Sequence, residues 1–288
     1  MTTLLAYPNI SQGRDANAIA RISAAFGDHL LDVHSDPDHN RSAYTLAGEP
    51  GELAGAVADG AARAVELVTL VEHEGVHPYV GVVDVAPIVH LRAADRGAAC
   101  AEALVLADLL GHELGLAVFL YGALAGGRTR AELRRGGPAE LARRVAAGEL
   151  RPDFGPARLH PTAGATLVAA RPPLVAFNIE LAPPATLQDA RAIAALIREG
   201  GPEGLAGVRA IGLWLEQRRL AQVSTNVEDH LRTPLAEVVS AVARHARPMG
   251  AELVGLAPVA AFDGFPDDLT LAGYATIEDR LAQRLRTA

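Results

Sequence analysis

Two histidines and a glutamate stand close together at His73-Glu74-x-x-His77, directly before an apolar segment. As a bare pattern this spacing matches the zinc-protease signature, in which both histidines lie on one helical face and the glutamate acts as base on a metal-bound water. Such a helix must run through both histidines, but Gly75 lies between them and Pro78 follows the second. Because the residue before a proline is disfavoured in helical geometry, we expect His77 on a loop, without a metal. A zinc hydrolase that uses His73, Glu74 and His77 stays the weaker alternative.

A second polar segment lies between two predicted strands. Loops carry binding and catalytic groups more often than buried elements do. Imidazoles and carboxylates this close together fit either a metal cluster or a solvated hairpin loop, and we favour the metal-free interpretation. The polar members of the segment are His34, Asp36, Asp38, His39, Asn40 and Arg41.

Composition excludes several classes of protein. The chain has 288 residues, 50% of them hydrophobic, which suffices for one large or two medium domains. With 26 basic against 34 acidic residues, the net charge of −8 argues against nucleic-acid binding, which needs a basic face. The one cysteine, Cys100, cannot form an internal disulfide and fits a reducing compartment. No signal peptide and no apolar run of membrane-spanning length is evident, so we expect a cytoplasmic protein without a membrane partner.

The spacing of apolar residues predicts an α+β fold made of two similar halves. In the first half it predicts strands at 4–10, 30–33, 42–48, 81–91 and 116–121 and helices at 18–26, 52–68 and 93–114. In the second half it predicts strands at 174–181, 208–215, 220–224 and 253–257 and helices at 187–198, 234–246 and 276–285. We interpret each half as β-α-β-β-α-β, the ferredoxin-like split β-α-β arrangement with one sheet face covered by two helices.

Two similar halves in one chain usually face each other across a central cleft, which is the default ligand site. We expect an N-terminal subdomain at 1–165, of which 123–165 is an arginine-rich helical connector. The C-terminal subdomain is expected at 166–288. The candidate loop with His77 then lies in the first subdomain, where a buried strand begins.

Several short motifs span the chain to about Pro258. They are Tyr7-Pro8-Asn9-Ile10-Ser11-Gln12-Gly13-Arg14, Asn40-Arg41, Gly75-Val76-His77-Pro78 with Gly81 and Asp84-Val85, Leu120-Tyr121-Gly122, Pro152-Asp153-Phe154-Gly155-Pro156, Ala163-Gly164-Ala165-Thr166, Ala176-Phe177-Asn178, and Ala221-Gln222-Val223-Ser224-Thr225-Asn226. Each motif is weak alone, but the ordered set is specific. Together they resemble the formiminotransferase domain family (glutamate formimidoyltransferase).

The resemblance implies two α/β subdomains with a folate-binding groove between them, and usually a homodimer. The implied reaction transfers the formimino group of N-formimino-L-glutamate to N5 of tetrahydrofolate, a one-carbon step of histidine catabolism. Tetrahydrofolate would be a co-substrate, no metal would be needed, and a cyclodeaminase would act from a separate chain. The resemblance places the catalytic histidine on His77 and substrate or folate contacts on Asn9, Ser11, Gly13, His34, Asp36, Asn40, Arg41, Tyr121, Gly164, Asn178, Thr225 and Asn226.

The chemistry of this transfer suits those residue types. An amine attacks an amidine carbon, so a proton must leave N5 and another must reach the departing glutamate nitrogen. Histidine titrates near neutral pH and does both, which makes His77 the expected general acid and base. A carboxylate such as Asp36 or Asp38 would stabilise a cationic amidine, and Arg41 fits either a substrate carboxylate or a structural salt bridge. Hydrogen bonds to the pterin edge are one expected role of Asn9, Asn178 and Asn226. The alternative is that these side chains hold turns at strand ends.

Four positions depart from the family pattern around the expected site. The residues concerned are Gln12 in place of a glutamate, His34 and Val76 in place of acids, and Tyr79 in place of a basic residue. These changes leave two further hypotheses open. One is one-carbon transfer from a formyl donor, and the other is a folate-binding paralogue with weak turnover.

Overall fold

Interrupted strands build the sheet of the first half of the chain. The structure, a computed structural model, describes residues 2–287, and its first compact unit ends at Pro172. The strands of this unit are β1 (Leu4–Ala6), β2 (Asn9–Ile10), β3 (Leu30–Asp36), β4 (Arg41–Gly48), β5 (Val83–Val85), β6 (Ile88–His90), β7 (Ala117–Leu120), β8 (Ala165–Val168) and β9 (Ala170–Arg171). On one side β1 and β2 both pair with β4, and on the other side β1 pairs with β6 and β2 pairs with β5. They are therefore two halves of one interrupted strand. The same holds for β5 with β6 and for β8 with β9.

Helices cover both faces of this sheet. They are α1 (Ala16–Ala25), α2 (Leu53–Leu67), α3 (Arg96–His112), α4 (Arg130–Arg134) and α5 (Gly137–Ala146), with 3-10 turns at Gly27–His29, Ala93–Asp95 and Gly122–Ala125. On one face α1, α2 and α3 pack around Ile22, Val57 and Leu106. On the other face α4 and α5 bury Leu133 and Leu141. The expectation of a single covered face is therefore wrong for this unit, because the connector contributes its own apolar layer.

The order of the strands confirms the ferredoxin-like prediction for the first unit. From one edge the rows run β3, β4, β1/β2, β5/β6, β8/β9 and β7. By their order along the chain these first four rows are the second, third, first and fourth, which is the order of a split β-α-β unit. The rows β8/β9 and β7 extend the sheet as parallel strands, with Val118 and Val168 on one face and Phe119 and Leu167 on the other. Parallel strands with both faces apolar must be covered on both sides, which explains the second helical layer.

The boundary between the two halves lies beyond the expected position. A division after residue 165 would cut β8, which pairs with β7 and β5 of the first sheet. The compact units divide between Pro172 and Pro173 instead. The connector and the two strand segments that follow it therefore belong structurally to the first unit.

Three neighbouring rows of the first sheet are interrupted at the same level. The breaks are Tyr7-Pro8 between β1 and β2, Ala86-Pro87 between β5 and β6, and Ala169 between β8 and β9. Proline lacks the N–H that a sheet ladder requires. The backbone nevertheless stays bonded across the gap, because the N–H of Tyr7 donates to the carbonyl of Pro87 (3.0 Å) and the N–H of Ile88 donates to that of Ala169 (2.8 Å).

The second unit repeats the same topology on a smaller scale. Its elements are β10 (Val175–Leu181), α6 (Leu187–Ile197), β11 (Val208–Leu215), β12 (Leu220–Val227), α7 (Leu235–Ala243), β13 (Pro248–Val254), a 3-10 turn at Val259–Phe262, β14 (Leu271–Ala272) and α8 (Ile277–Thr287). The strand order is β11, β12, β10, β13 and β14, in which the first four are again the second, third, first and fourth strands of the unit along the chain. The core lies between this sheet and α6 with α7, around Phe177, Ile193 and Val238. The parallel edge strand β14 was not predicted.

Two helix starts follow directly from capping residues. The carboxylate of Asp15 accepts the backbone N–H groups of Asn17 (2.9 Å) and Ala18 (3.0 Å) and begins α1. Thr186 and Asp189 form a reciprocal capping box at the start of α6. In the part of the chain that the structure describes, no helix is long and apolar enough to cross a bilayer.

Candidate active site

The polar segment after β3 folds into a tight turn. The carboxylate of Asp36 accepts a hydrogen bond from the backbone N–H of His39 (2.8 Å). Asn40 adopts a left-handed backbone with φ 46°, and its side-chain oxygen accepts from the backbone N–H of Gly13 (3.0 Å). A Cβ on Gly13 would lie 2.2 Å from the carbonyl oxygen of Asp36 and 2.5 Å from the backbone nitrogen of Arg41. Only glycine permits this approach of the two turns.

The loop over residues 73–78 is irregular and is docked onto that turn. The amide of Asn40 donates to the carbonyl of Glu74 (2.9 Å), and a Cβ on Gly75 would lie 2.5 Å from the carbonyl oxygen of His39. The prediction of a loop is confirmed, so the two histidines of the zinc-protease pattern do not share a helical face. Within residues 2–287 no group of three or more His, Cys, Asp or Glu side chains is placed to hold a metal ion.

His77 stands at the end of this loop with a partly exposed ring. Its Nδ1 lies 2.8 Å from the carbonyl oxygen of Pro78. Because a carbonyl only accepts, Nδ1 carries the proton and Nε2 keeps its lone pair. Desolvation lowers the pKa of His77 well below its usual value, and the charges of Arg41, Arg134 and His39 lower it further. The ring is therefore neutral at neutral pH, with one basic nitrogen, and it lies beside His39 at 5.9 Å between ring centroids.

A buried carboxylate joins two arginines close to the loop. Oδ2 of Asp84 accepts from Nη1 of Arg41 (2.6 Å) and also from Nη2 of Arg134. Oδ1 of Asp84 accepts from the backbone N–H of Val80 (2.9 Å), so the strand that follows the loop is tied to the same carboxylate. Nε of Arg41 donates to the side-chain oxygen of Asn9 (3.1 Å). The ion pair that was one alternative for Arg41 is thus present, and it orients Asn9.

The charges of the two arginines determine the protonation state of Asp84. Burial raises the pKa of the Asp84 carboxyl, but the charges of Arg134 and Arg41 outweigh burial and the net pKa is lowered. Burial also lowers the pKa of Arg134, which the charge of Asp84 opposes. All three side chains are ionised at neutral pH, and both arginines lie near the neutral ring of His77.

Tyr121 follows β7 and is buried, with 6% of the residue exposed. The guanidinium of Arg130 lies over its ring, 5.7 Å from the centroid. Among the residues that the structure describes, the Tyr121 hydroxyl makes no well-directed hydrogen bond, although the guanidinium of Arg171 lies beside it. It also interacts electrostatically with Arg134. We refer to Arg41 and Arg134, which pair with Asp84, together with Arg130 and Arg171 beside Tyr121, as the arginine cluster.

Ser11 and Gly164 support the strand that follows the loop. The hydroxyl of Ser11 donates to the carbonyl of Gly81 (2.8 Å). Gly164 has φ +72°, and a Cβ there would lie 2.3 Å from the carbonyl oxygen of Val80. Both predicted residues therefore act on the backbone directly after His77, through a side-chain hydrogen bond in one case and through close packing in the other.

His34 and Tyr79, two departures from the family pattern, occupy different surroundings. His34 lies on β3 opposite Ala43, and Ala43 pairs on its other side with Asn9. One strand row thus separates His34 from Asn9. The hydroxyl of Tyr79 donates to the carbonyl of His73 (3.1 Å), and the two rings meet edge to face at 4.5 Å. Tyr79 therefore stiffens the candidate loop.

In the second unit, strand alternation separates the predicted residues onto two faces. Thr225 lies on the face covered by helices, and its hydroxyl donates to the carbonyl of Phe177 (2.6 Å). Asn178 and Asn226 lie on the opposite face, since successive side chains of a strand alternate. The amide of Asn178 donates to the carboxylate of Glu252 (3.1 Å). The Thr225 hydroxyl is committed to the sheet, whereas both amides face away from the core.

Several of the residues predicted for the first unit lie together, along with Arg134, which was not predicted. The structure joins Asn9, Gly13, Asp36, Asn40 and Arg41 with the loop of His77. Arg134 reaches Asp84 from the connector, 50 residues later in the chain. No local pattern marks such a contact, because it depends on how α4 packs.

Comparison with known families decides the relationship. Residues 3–171 match the profile of the formiminotransferase domain, N-terminal subdomain, and residues 176–264 match that of the formiminotransferase domain. The chain belongs to the formiminotransferase domain family. The resemblance noted in the sequence is thereby confirmed, and the two matched segments correspond to the two compact units.

Individual relatives match most of the chain, but the chain spans different shares of their own lengths. The glutamate formimidoyltransferase of Streptococcus pyogenes serotype M1 is 34% identical over 88% of this chain and 88% of its own length. The glutamate formimidoyltransferase of Thermoplasma acidophilum is 30% identical over 90% of the chain and 89% of its own length. The formimidoyltransferase-cyclodeaminase of Sus scrofa is 38% identical over 88% of the chain, but the chain spans only 50% of that relative.

Proposed function

We propose that this formiminotransferase-family chain transfers the formimino group of N-formimino-L-glutamate to N5 of tetrahydrofolate. The names of the relatives from Streptococcus and Thermoplasma support glutamate as the product amino acid. Tetrahydrofolate enters as the co-substrate implied by the family resemblance. The observation that carries the proposal is the neutral imidazole of His77, with Nε2 free as a base beside the arginine cluster.

In the proposed reaction N5 of tetrahydrofolate attacks the formimino carbon and a tetrahedral intermediate forms. Nε2 of His77 takes the proton that N5 loses. The same nitrogen then delivers a proton to the leaving glutamate nitrogen, and the C–N bond to glutamate breaks. The depressed pKa suits the first step, because the ring begins as a base, and it makes the protonated ring a strong acid for the second.

The loop geometry supports His77 as the proton carrier. Nδ1 is held by the carbonyl of Pro78, which fixes the tautomer and orients the ring. The docking of the loop on Asn40 and His39 limits its freedom, as preorganised acid–base catalysis requires. Contacts of folate with Asn178 and Asn226 and a homodimeric state stay predictions of the family resemblance, and a cytoplasmic location stays a prediction from composition.

Turnover of the purified chain tests the proposal. Tetrahydrofolate and formiminoglutamate are incubated with the protein, and methenyl-tetrahydrofolate is followed spectroscopically after acidification. We expect wild-type turnover, and a loss of roughly 10²–10⁴ in kcat for His77→Gln if general acid–base catalysis is removed.

The matched control is His112→Gln on the solvent-exposed end of α3, whose side chain is 70% exposed. It should keep wild-type turnover. Full activity of His77→Gln would overturn the role of this residue. Folate binding with no turnover from either a formimino or a formyl donor would favour a non-catalytic folate-binding protein.

A further inference from the structure

Arg41 and Arg134 carry more positive charge than the one carboxylate that they share balances. Arg41 and Arg134 share one carboxylate oxygen of Asp84, while the other oxygen takes the N–H of Val80. In residues 2–287 Asp84 is the only carboxylate that forms an ion pair with either arginine. The three side chains therefore leave a net charge of +1 in a largely buried site. An uncompensated charge in such a place is unfavourable unless an anion joins it.

Both guanidiniums retain a surface on which an anion could sit. Asp84 is 0% exposed, but the side chains of Arg41 and Arg134 keep 11% and 12% exposure. Among residues 2–287, Nε of Arg134 has no hydrogen-bond partner, and the buried hydroxyl of Tyr121 nearby makes no well-directed hydrogen bond. The available groups are donors and cations. These groups would bind a ligand that is negatively charged and accepts hydrogen bonds.

We propose that Arg41 and Arg134 bind a carboxylate of the amino-acid donor beside His77. This inference rests on the proposed function, and it adds a residue of the connector to the substrate site. The guanidinium fork of Arg134 would supply bidentate hydrogen bonds, and Asp84 would hold both arginines in place. Binding of the donor then brings the local charge to zero.

The chemistry of the substrates distinguishes the donor from the glutamate tail of folate. In formiminoglutamate the α-carboxylate is attached to the carbon that bears the leaving nitrogen. A base that serves this nitrogen must therefore lie close to that carboxylate. The glutamate tail of tetrahydrofolate is separated from N5 by the methylene bridge and the whole aminobenzoyl ring. A carboxylate site next to His77 thus suits the donor.

The variant Arg134→Gln tests the proposal without stranding a charge, because Arg41 and Asp84 remain as a one-to-one pair. Calorimetry with glutarate, a dicarboxylate, measures the site directly and needs no turnover. We expect wild type to bind glutarate and not its neutral diamide, glutaramide. Loss of a charge-assisted hydrogen-bonded contact should weaken glutarate binding roughly ten- to hundredfold in Arg134→Gln. Arg134→Lys, which keeps the charge but not the fork, should lie between the two.

The control variant is Arg128→Gln, which removes an arginine of the same connector that pairs with Asp153 outside the cluster. It should bind glutarate as wild type does. Equal glutarate binding by wild type and Arg134→Gln would overturn the proposal, as would a wild type that binds no glutarate. If Arg134→Gln does not fold, Arg134→Lys provides the same comparison at constant charge. Unchanged glutarate binding by Arg134→Lys would refute bidentate binding by the guanidinium of Arg134.

Kinetics separate the two possible sources of the carboxylate. In Arg134→Gln we expect a higher KM for formiminoglutamate with a nearly unchanged KM for tetrahydrofolate. The opposite result would assign the site to the folate tail, particularly if tetrahydropteroate, which lacks that tail, were unaffected. A wild type without turnover but with Arg134-dependent glutarate binding would refute the proposed function and leave the carboxylate site standing.

Discussion

Replacing Asp84 by asparagine tests how much this one carboxylate stabilises the fold by partly balancing Arg41 and Arg134. The amide keeps the shape of the side chain but removes the charge that Arg41 and Arg134 share. Breaking a buried ion pair by removing one partner costs roughly 3–5 kcal/mol. Because both arginines retain 11–12% exposure, water screens part of the loss, and we expect the lower end, about 3 kcal/mol.

Urea denaturation followed by circular dichroism measures this free energy of unfolding. The midpoint should fall while the slope stays the same, since the surface exposed on unfolding does not change. The control is Glu66→Gln, which breaks the exposed pair of Arg63 and Glu66 (41% and 62% exposed). It should cost less than about 0.5 kcal/mol. A loss below about 1 kcal/mol in Asp84→Asn, the net value of an ordinary hydrogen bond, would refute the charge-balance argument.

The same variant should change the response to acid. The folded pKa of Asp84 is depressed relative to an ordinary value of 3.8. Its stabilisation is therefore fully present above pH 3.8 and is lost as the pH falls from there through the folded pKa. Asp84→Asn lacks this contribution, so its unfolding free energy should depend less steeply on pH in that window.

Three further measurements address other parts of the structure. The kcat/KM of wild type should rise with pH on its acidic limb, with a midpoint below 6.5, because desolvation and nearby arginines lower the pKa of His77; a midpoint at or above 6.5 would contradict its assignment as the base. Gly81→Ala should destabilise the fold by about 1–3 kcal/mol or more, because its Cβ would lie 1.8 Å from the carbonyl oxygen of Ala165. In the same denaturation assay Gly55→Ala in α2, whose Cβ would meet no atom within 4 Å, should stabilise the fold by roughly 0.5–1 kcal/mol. Thr186→Ala should cost about 1 kcal/mol through loss of the capping box of α6, and an unchanged midpoint would show that the cap does not contribute.

Local chemistry explains what the sequence predicted well. Gly75 and Pro78 exclude a helix through the candidate loop, and the structure has none there. The alternation of apolar residues likewise predicted strands at 174–181 and 208–215, where β10 and β11 lie. These conclusions need only the backbone preferences of nearby residues.

Long-range packing explains what the sequence did not predict. The short strands β8 and β9 follow a connector rich in glycine, proline and arginine, and apolar spacing does not reveal that they insert between β5/β6 and β7. The expected boundary after residue 165 was placed too early for that reason. Arg134 presents the same difficulty, since its partner Asp84 is fixed by tertiary contact and by no motif. Cores and caps are encoded locally, whereas charge balance at a distance is not.

Three adjacent rows of the first sheet are interrupted at the same level, so the number of residues on each side of one interruption must match that in the neighbouring rows. A residue inserted in one row, for example beside Pro87, would slide its partners along the ladder and turn every following side chain to the wrong face. Deletions near Tyr7 or Ala169 would do the same to their neighbours. Related chains should therefore tolerate exchanges of side chain at these breaks far better than changes in spacing, and length differences should collect in the surface loops instead.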